Sequence, residues 1–147
     1  MIKRDSVSIG AILAGLMLFG GMSAWAGEEL SATEITKLVS GKTVEGVSVK
    51  KKGKLKPYTA YYSPEGTIKS KHWYGKKQTS KWRKRNGKWW IDDKDRICVK
   101  WKDQDKKKCM VIEKEGEIYR QYRIKKDGNR KHVATFKKFT DGNPDDL

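Results

Sequence analysis

The sequence has very few of the side chains from which most catalytic and metal sites are built. Its 147 residues include two histidines and two cysteines, and the patterns HExxH, CxxC and GxSxG do not occur. Two histidines are too few for a histidine-rich metal site, and the missing patterns are signatures of zinc peptidases, dithiol or zinc sites and serine hydrolases. The sequence therefore predicts a protein that is not an enzyme and has no metal site and no cofactor.

The prediction that the protein is not an enzyme can be tested by distances in the structure. Any pocket should lack a nucleophile–base pair, so a ring nitrogen of His72 or His132 within hydrogen-bond distance of Ser, Thr or Asp in a cleft would contradict it. The acidic stretches "DDKD" and "KDQD" lack the glycine and the distal glutamate of a calcium loop, so they are predicted to be solvated turns.

Long apolar runs are absent after residue 26. Before it, Lys3 and Arg4 precede an uncharged, mostly apolar run, and Ala24-Trp25-Ala26 is a small-x-small cleavage pattern. The alternative is a retained membrane anchor, but the run is only just long enough to span and is rich in Gly and Ser. We therefore predict a signal peptide over 1–26, a single domain over 27–147, and export to the periplasm or outside the cell.

Export places the two cysteines in an oxidising compartment, so Cys98 and Cys109 are predicted to form a disulfide. The stretch between them is highly charged, which suits a turn centred near Asp103 and Gln104. Pairing the cysteines across this turn puts Ile97 opposite Met110 and Val99 opposite Lys108. Adjacent strand residues point to opposite faces, so Trp101 and Ile112 join these pairs on an inward face while the disulfide lies on an outer, polar face.

Acidic residues are scarce in one region. Between Lys50 and Lys88 there are fourteen Lys and Arg and a single acid, Glu65, and removal of residues 1–26 changes the net charge only from +16 to +15. Basic side chains interleaved with aromatics suit a polyanion, that is, an anionic polymer or envelope surface. The candidate residues are Lys69, Lys71, Trp73, Lys76, Lys77, Lys81, Trp82, Arg83, Lys84 and Arg85. The alternative is charge that serves solubility alone, with aromatics that belong to the core.

Local patterns predict a mainly β fold. A short helix is expected at about 31–40, because Ser31 and Glu34 form a capping box and Gly41 follows the last turn. From about 42 to 139 the apolar period changes to two and turn signals recur, among them Asn86-Gly87, which predicts an antiparallel meander followed by a short tail. The fold class is therefore a meander sheet or a small lipocalin-like barrel with one N-terminal helix.

A closed barrel would hold one apolar or carboxylate ligand. Arg120 shares a strand face with Ile118, Tyr122 and Ile124, which makes it the candidate anchor for a carboxylate; exposure at an edge or a bulge is the alternative. A third possibility is an inhibitor or partner of an envelope protein, which no residue singles out.

Several segments together carry a resemblance: "SATEITKLVSGKTVEG", "YYSPEGTI", "GKWWIDDKDRICVKW", "GEIYRQY" and the terminal "GNPDDL". In this order they resemble the DUF995 (domain of unknown function) family of small exported bacterial proteins, over nearly the whole chain after residue 26. The resemblance implies a secreted, single-domain, disulfide-bearing β protein. It implies no catalytic residues.

Overall fold

The computed structural model describes residues 27–74 and 81–147. The predicted signal peptide and two of the candidate polyanion-binding residues, Lys76 and Lys77, lie outside this range. The elements are β1 (Glu28–Glu29), α1 (Ala32–Val39), β2 (Lys42–Val49), β3 (Leu55–Tyr62), β4 (Thr67–Tyr74), β5 (Lys81–Ile91), β6 (Ile97–Trp101), β7 (Lys108–Glu115), β8 (Ile118–Ile124) and β9 (Arg130–Asp141).

Strands β2 to β9 form a closed antiparallel barrel. Each strand pairs with its successor in the chain, and β9 returns to pair with β2, so the eight strands leave no open edge within the barrel. Strand β1 pairs with β7 at Glu113 and Lys114, beyond the residues of β7 that pair with β6. The predicted small barrel with one helix is confirmed, and closure satisfies the backbone groups that an open meander would expose at its edges.

Helix α1 forms as the sequence predicts. The Ser31 side chain accepts a hydrogen bond from the Glu34 backbone, and the Glu34 carboxylate accepts one from the Ser31 backbone. The helix buries Ile35 and Val39 and packs against β2 and β5. It closes the end of the barrel where β2 begins. Within the described residues, no helix is long and apolar enough to cross a membrane.

The disulfide joins Cys98 and Cys109, with the predicted register on both sides. Ile97 and Val99 are buried in the barrel, as expected for the inward face. The outer face at this point is not the solvated polar face that was predicted, because Cys98 is fully buried. The turn between β5 and β6 explains the difference: a carboxylate oxygen of Asp92 lies within 4.8 Å of both sulfur atoms.

Replacing both cysteines with serine is expected to lower the free energy of unfolding by about 2 to 3 kcal/mol, because a bridge across so short a loop removes that much chain entropy from the unfolded state. Urea denaturation of the variant and the parent measures the difference. The barrel should persist by circular dichroism, and two reactive thiols in the parent protein would contradict the prediction.

The predicted hairpin turn at Asn86-Gly87 is wrong. Strand β5 continues through both residues and pairs with β6, and the turn lies instead at 92–96. Gly87 is required by close packing, because a Cβ added there would lie 2.5 Å from the Lys100 carbonyl oxygen. A glycine inside a strand often marks such a close backbone approach rather than a turn.

Candidate ligand-binding cavity

The barrel interior is filled at one end and hollow at the other. Near α1, the fully buried side chains of Ile35, Ile112 and Phe136 occupy the interior. Towards the opposite end lies a cavity of about 220 Å³. Its apolar wall consists of Val49, Tyr58, Ala60, Tyr62, Ile68, Val99, Trp101, Met110, Val133 and Ala134. This wall excludes water from one part of a ligand and gives it apolar contacts.

Five cationic side chains line the cavity. Four of them are exposed and come from different places in the fold; we call Lys50, Lys108, Arg123 and Lys131 the cationic rim. The fifth, Arg85, lies deeper. Burial and the nearby Arg85 lower the pKa of Lys50, and burial together with Arg123, Arg85 and Lys50 lowers that of Lys108. Lys50, Lys108, Arg123 and Arg85 are thus close enough for some of them to repel one another, and a bound anion would relieve that repulsion.

Arg85 is held in place from two sides. Its side chain is 12% exposed, its Nη2 donates to Asp103 Oδ1 at 2.7 Å, and its Cζ lies 4.4 Å from the centroid of the Trp101 ring. The hydrogen bond from Arg85 lowers the pKa of Asp103. Within the described residues Arg85 Nε is buried and has no hydrogen-bond partner. A buried donor without a partner is costly, and because this nitrogen has almost no accessible surface, an anion would reach Arg85 through the part of its side chain that lines the cavity.

His72 also lines the cavity. Its Nε2 lies 2.8 Å from Ser70 Oγ, and its ring stacks on Tyr58 with the centroids 5.5 Å apart. The prediction that no pocket holds a histidine within hydrogen-bond distance of a hydroxyl is therefore wrong. Burial, followed by the charges of Arg85 and Lys50, lowers the pKa of His72 to about 4. An imidazole with so low a pKa is a weak base, and Ser70 is only 1% exposed.

A neutral polar pair lies deeper in the barrel, where Gln121 Nε2 donates to Tyr58 Oη at 3.3 Å. Burial raises the pKa of both Tyr58 and Tyr62. These phenols therefore stay protonated at neutral pH and add no negative charge to the cavity.

The inward position predicted for Arg120 is wrong. Its side chain is 40% exposed, pairs with Glu115 at 2.9 Å and does not line the cavity. On β8 the inward residues are Tyr119, Gln121 and Arg123, so the apolar alternation of Ile118, Tyr122 and Ile124 marks the outer face. Ile124 is 41% exposed, which shows why apolar character alone misidentified the face.

The predicted basic surface is divided between two faces of the β4–β5 pair. Lys71 pairs with Lys84 and Trp73 with Trp82 across the strands, and Lys69 lies on the same outer side. We call Lys69, Lys71, Trp73, Trp82 and Lys84 the outer basic face. Lys81, Arg83 and Arg85 share the other side of β5; Lys81 and Arg83 are exposed, whereas Arg85 enters the cavity. The segment therefore does not form one continuous surface.

Sequence reasoning missed the cationic rim. Its members are scattered over the chain, and only the closed barrel brings them together. Two acids make contacts that the sequence did not predict: Asp103 pairs with Arg85, and Asp95 Oδ1 accepts a hydrogen bond from the Ala32 backbone at the start of α1. Both acids are exposed, which agrees with the predicted solvated turns. Alternation within β7 was the one available signal, since it placed Lys108 on the inward face with Met110.

The low pKa of His72 predicts how stability depends on pH. The unfolded chain takes up a proton near the usual pKa of 6.5, whereas the folded chain does so only near 4. Stability should therefore fall as the pH drops from about 6.5 to 4. The full difference corresponds to about 3 kcal/mol, and partial exposure reduces the expected loss to about 1 to 2 kcal/mol.

The measurement is the free energy of unfolding of the parent and of His72→Gln at several pH values. Carboxylates titrate in the same range and affect both proteins, so the difference between them isolates His72. A difference that is independent of pH would show that the imidazole is not shielded as described.

No protein-family model, curated protein or solved structure matches this chain, so the resemblance to the DUF995 family stays a prediction.

Proposed function

We propose that this chain is an exported, non-enzymatic binding protein that holds a small amphiphile with an anionic head group. The single observation that carries the proposal is the apolar cavity lined by five cations, four of them exposed. An apolar wall combined with a few convergent polar groups is the usual composition of a ligand site. The disulfide supports export, because such bonds persist in oxidising compartments.

The size of the cavity limits the ligand. Its volume of about 220 Å³ is that of roughly seven water molecules in the liquid, at about 30 Å³ each. A chain of about six carbons or a single aromatic ring suits such a volume. Each buried CH₂ contributes about 0.8 kcal/mol, so a short tail supplies a useful share of the affinity.

The cavity also favours binding over catalysis. The His72 imidazole has a pKa of about 4 and faces a buried hydroxyl on Ser70. A nucleophile that a substrate cannot reach, beside a weak base, is poorly suited to group transfer.

Calorimetry with hexyl ligands of different charge tests the proposal. We expect hexanoate and hexyl phosphate to bind, hexanol to bind more weakly, and hexylamine not to bind, because the rim repels a cation. Arg85→Gln should lower the affinity for the anions by roughly 10- to 100-fold, the value of a charged hydrogen bond. Arg120→Gln is the matched control, since Arg120 lies outside the cavity.

Equal binding of hexylamine and hexanoate, or an equal loss of affinity in the Arg85 and Arg120 variants, would contradict the proposal. If no hexyl ligand binds, the proposed function is wrong.

A second candidate function is polyanion binding by the outer basic face. Trp73 and Trp82 contact edge to face with centroids 5.2 Å apart, Lys71 Nζ lies 5.7 Å from the Trp82 ring, and Trp82 is 45% exposed. An exposed aromatic ring flanked by outward lysines suits stacking on a base or sugar next to a phosphate. This observation favours an anionic polymer outside the barrel and is independent of the cavity.

Salt dependence tests the second candidate. If about three phosphates are engaged, the log–log slope of affinity against salt should be roughly −2 on single-stranded nucleic acid. Changing Lys69, Lys71 and Lys84 to Ser should flatten the slope, whereas Trp82→Ala should lower affinity by about 1 to 3 kcal/mol and keep the slope. The control with equal charge loss is Lys37, Lys114 and Lys137 to Ser, on other parts of the surface. A slope that flattens equally in the control would indicate attraction by net charge alone.

A further inference from the structure

We propose that the head group of the ligand is a doubly charged phosphate monoester, held by Arg85 and the cationic rim. This inference rests on the proposed function and specifies the chemical class that the cavity takes. The charge balance at the mouth, the geometry of Arg85 and the different directions from which the rim side chains reach the mouth support this assignment.

The charge at the mouth exceeds what a single negative charge can balance. Five cations line the cavity, and Asp103 beside Arg85 is the carboxylate that pairs with one of them. Among residues 27–74 and 81–147, the four members of the cationic rim make no ion pair with an acid. A monoanion would leave most of this repulsion in place, and a dianion would relieve more of it.

Arg85 is arranged as an anion donor rather than as a structural ion pair alone. Asp103 and the Trp101 ring fix the guanidinium plane, and the Arg85 side chain lines the cavity. A planar guanidinium with fixed orientation is the group that proteins use most for phosphate and carboxylate. Fixing it in advance reduces the entropy lost on binding.

The rim favours a tetrahedral head group over a planar one. Lys50 follows β2, Lys108 begins β7, Arg123 lies near the end of β8 and Lys131 near the start of β9. These side chains approach the mouth from different strands, whereas a carboxylate presents two oxygens in one plane. A phosphate presents three terminal oxygens, so several donors can bind it at the same time.

The pH dependence of two hexyl ligands tests the inference. Hexyl phosphate gains its second negative charge near pH 6, whereas hexanesulfonate keeps one charge and three oxygens at every pH used. We expect hexyl phosphate to bind about tenfold more tightly at pH 8 than at pH 5, with hexanesulfonate unchanged within about twofold.

The sulfonate also controls for titration of the protein, because any change in the protein affects both ligands. The titratable and charged groups that face the head group are Lys50, Tyr58, Tyr62, His72, Arg85, Asp103, Lys108, Arg123 and Lys131. Among them, His72 titrates below the range tested.

A double variant, Arg123→Gln with Lys131→Gln, should reduce the tightening between pH 5 and pH 8 to about threefold or less. Its matched control is Arg120→Gln with Lys137→Gln, which removes the same charge outside the cavity and should keep the full tightening. Both target residues are exposed, so the double variant is expected to fold.

The outcomes separate this inference from the proposed function. Binding of both ligands with the same pH dependence would overturn the dianion and leave the amphiphile site standing. Absence of binding by both ligands at every pH would overturn the proposed function itself. Inorganic phosphate should bind at least tenfold more weakly than hexyl phosphate. Equal affinity would support a site for a phosphate dianion and would contradict a contribution of the alkyl chain to binding.

Discussion

Replacing Phe136 with Ala is expected to lower the free energy of unfolding by about 3 to 5 kcal/mol, the usual loss for a buried phenylalanine. Phe136 is fully buried, and its ring contacts Tyr62 and Phe139 edge to face, with centroids 6.2 and 5.8 Å apart. It lies opposite Gly46 in the β2–β9 register, and Gly46 has no side chain that could fill the space left by the ring. The deletion therefore leaves a void in the closed end of the barrel.

Denaturation in urea, with the slope compared to that of the parent, measures the loss. Leu55→Ala serves as the control, since Leu55 is 57% exposed and its truncation should change stability by no more than about 0.5 kcal/mol. A loss below about 1 kcal/mol in Phe136→Ala would mean that the ring does not pack in the barrel interior as described.

Filling the cavity should have an effect of similar size on binding. Ala60→Leu places three additional carbon atoms in the apolar wall, where Ala60 is 1% exposed. We expect the affinity for hexyl phosphate to fall by roughly 50-fold, because three added carbon atoms displace about three CH₂ groups of the ligand at about 0.8 kcal/mol each. The measurement is the dissociation constant by calorimetry.

Two further variants make this result decisive. Ala134→Leu fills the cavity from β9 and should act in the same way, which guards against a local folding defect at residue 60. Ala32→Leu makes the same change in α1, outside the cavity, and should leave the affinity unchanged. Unchanged affinity in both cavity variants would show that the hexyl chain binds elsewhere.

The inner and outer candidate sites predict different results under the same conditions. Cavity variants should leave polyanion binding intact, and variants of the outer basic face should leave the hexyl ligands unaffected, because the two groups of side chains point to opposite sides of the sheet.

Much of the local structure could be predicted from short-range patterns. The capping box of Ser31 and Glu34 fixed the start of α1, and the cysteine spacing gave the β6–β7 register with Ile97 opposite Met110. Both predictions rest on interactions within a few residues or on one covalent bond. Asn86-Gly87 failed, since a glycine that prevents a clash with a neighbouring strand looks the same in the sequence as a glycine in a turn.

The sequence by itself determined the local elements, the inward face of β6 and β7, and the excess of positive charge. Only the tertiary structure decided which of those charges meet. Barrel closure brings β2, β7, β8 and β9 together at one mouth, so Lys50, Lys108, Arg123 and Lys131 converge although they are far apart in the chain. Tertiary structure also decided that Arg120 lies outside and Arg123 inside. With period-two alternation the two faces of a strand are equivalent until packing and register select one of them, and that selection depends on neighbouring strands rather than on the strand itself.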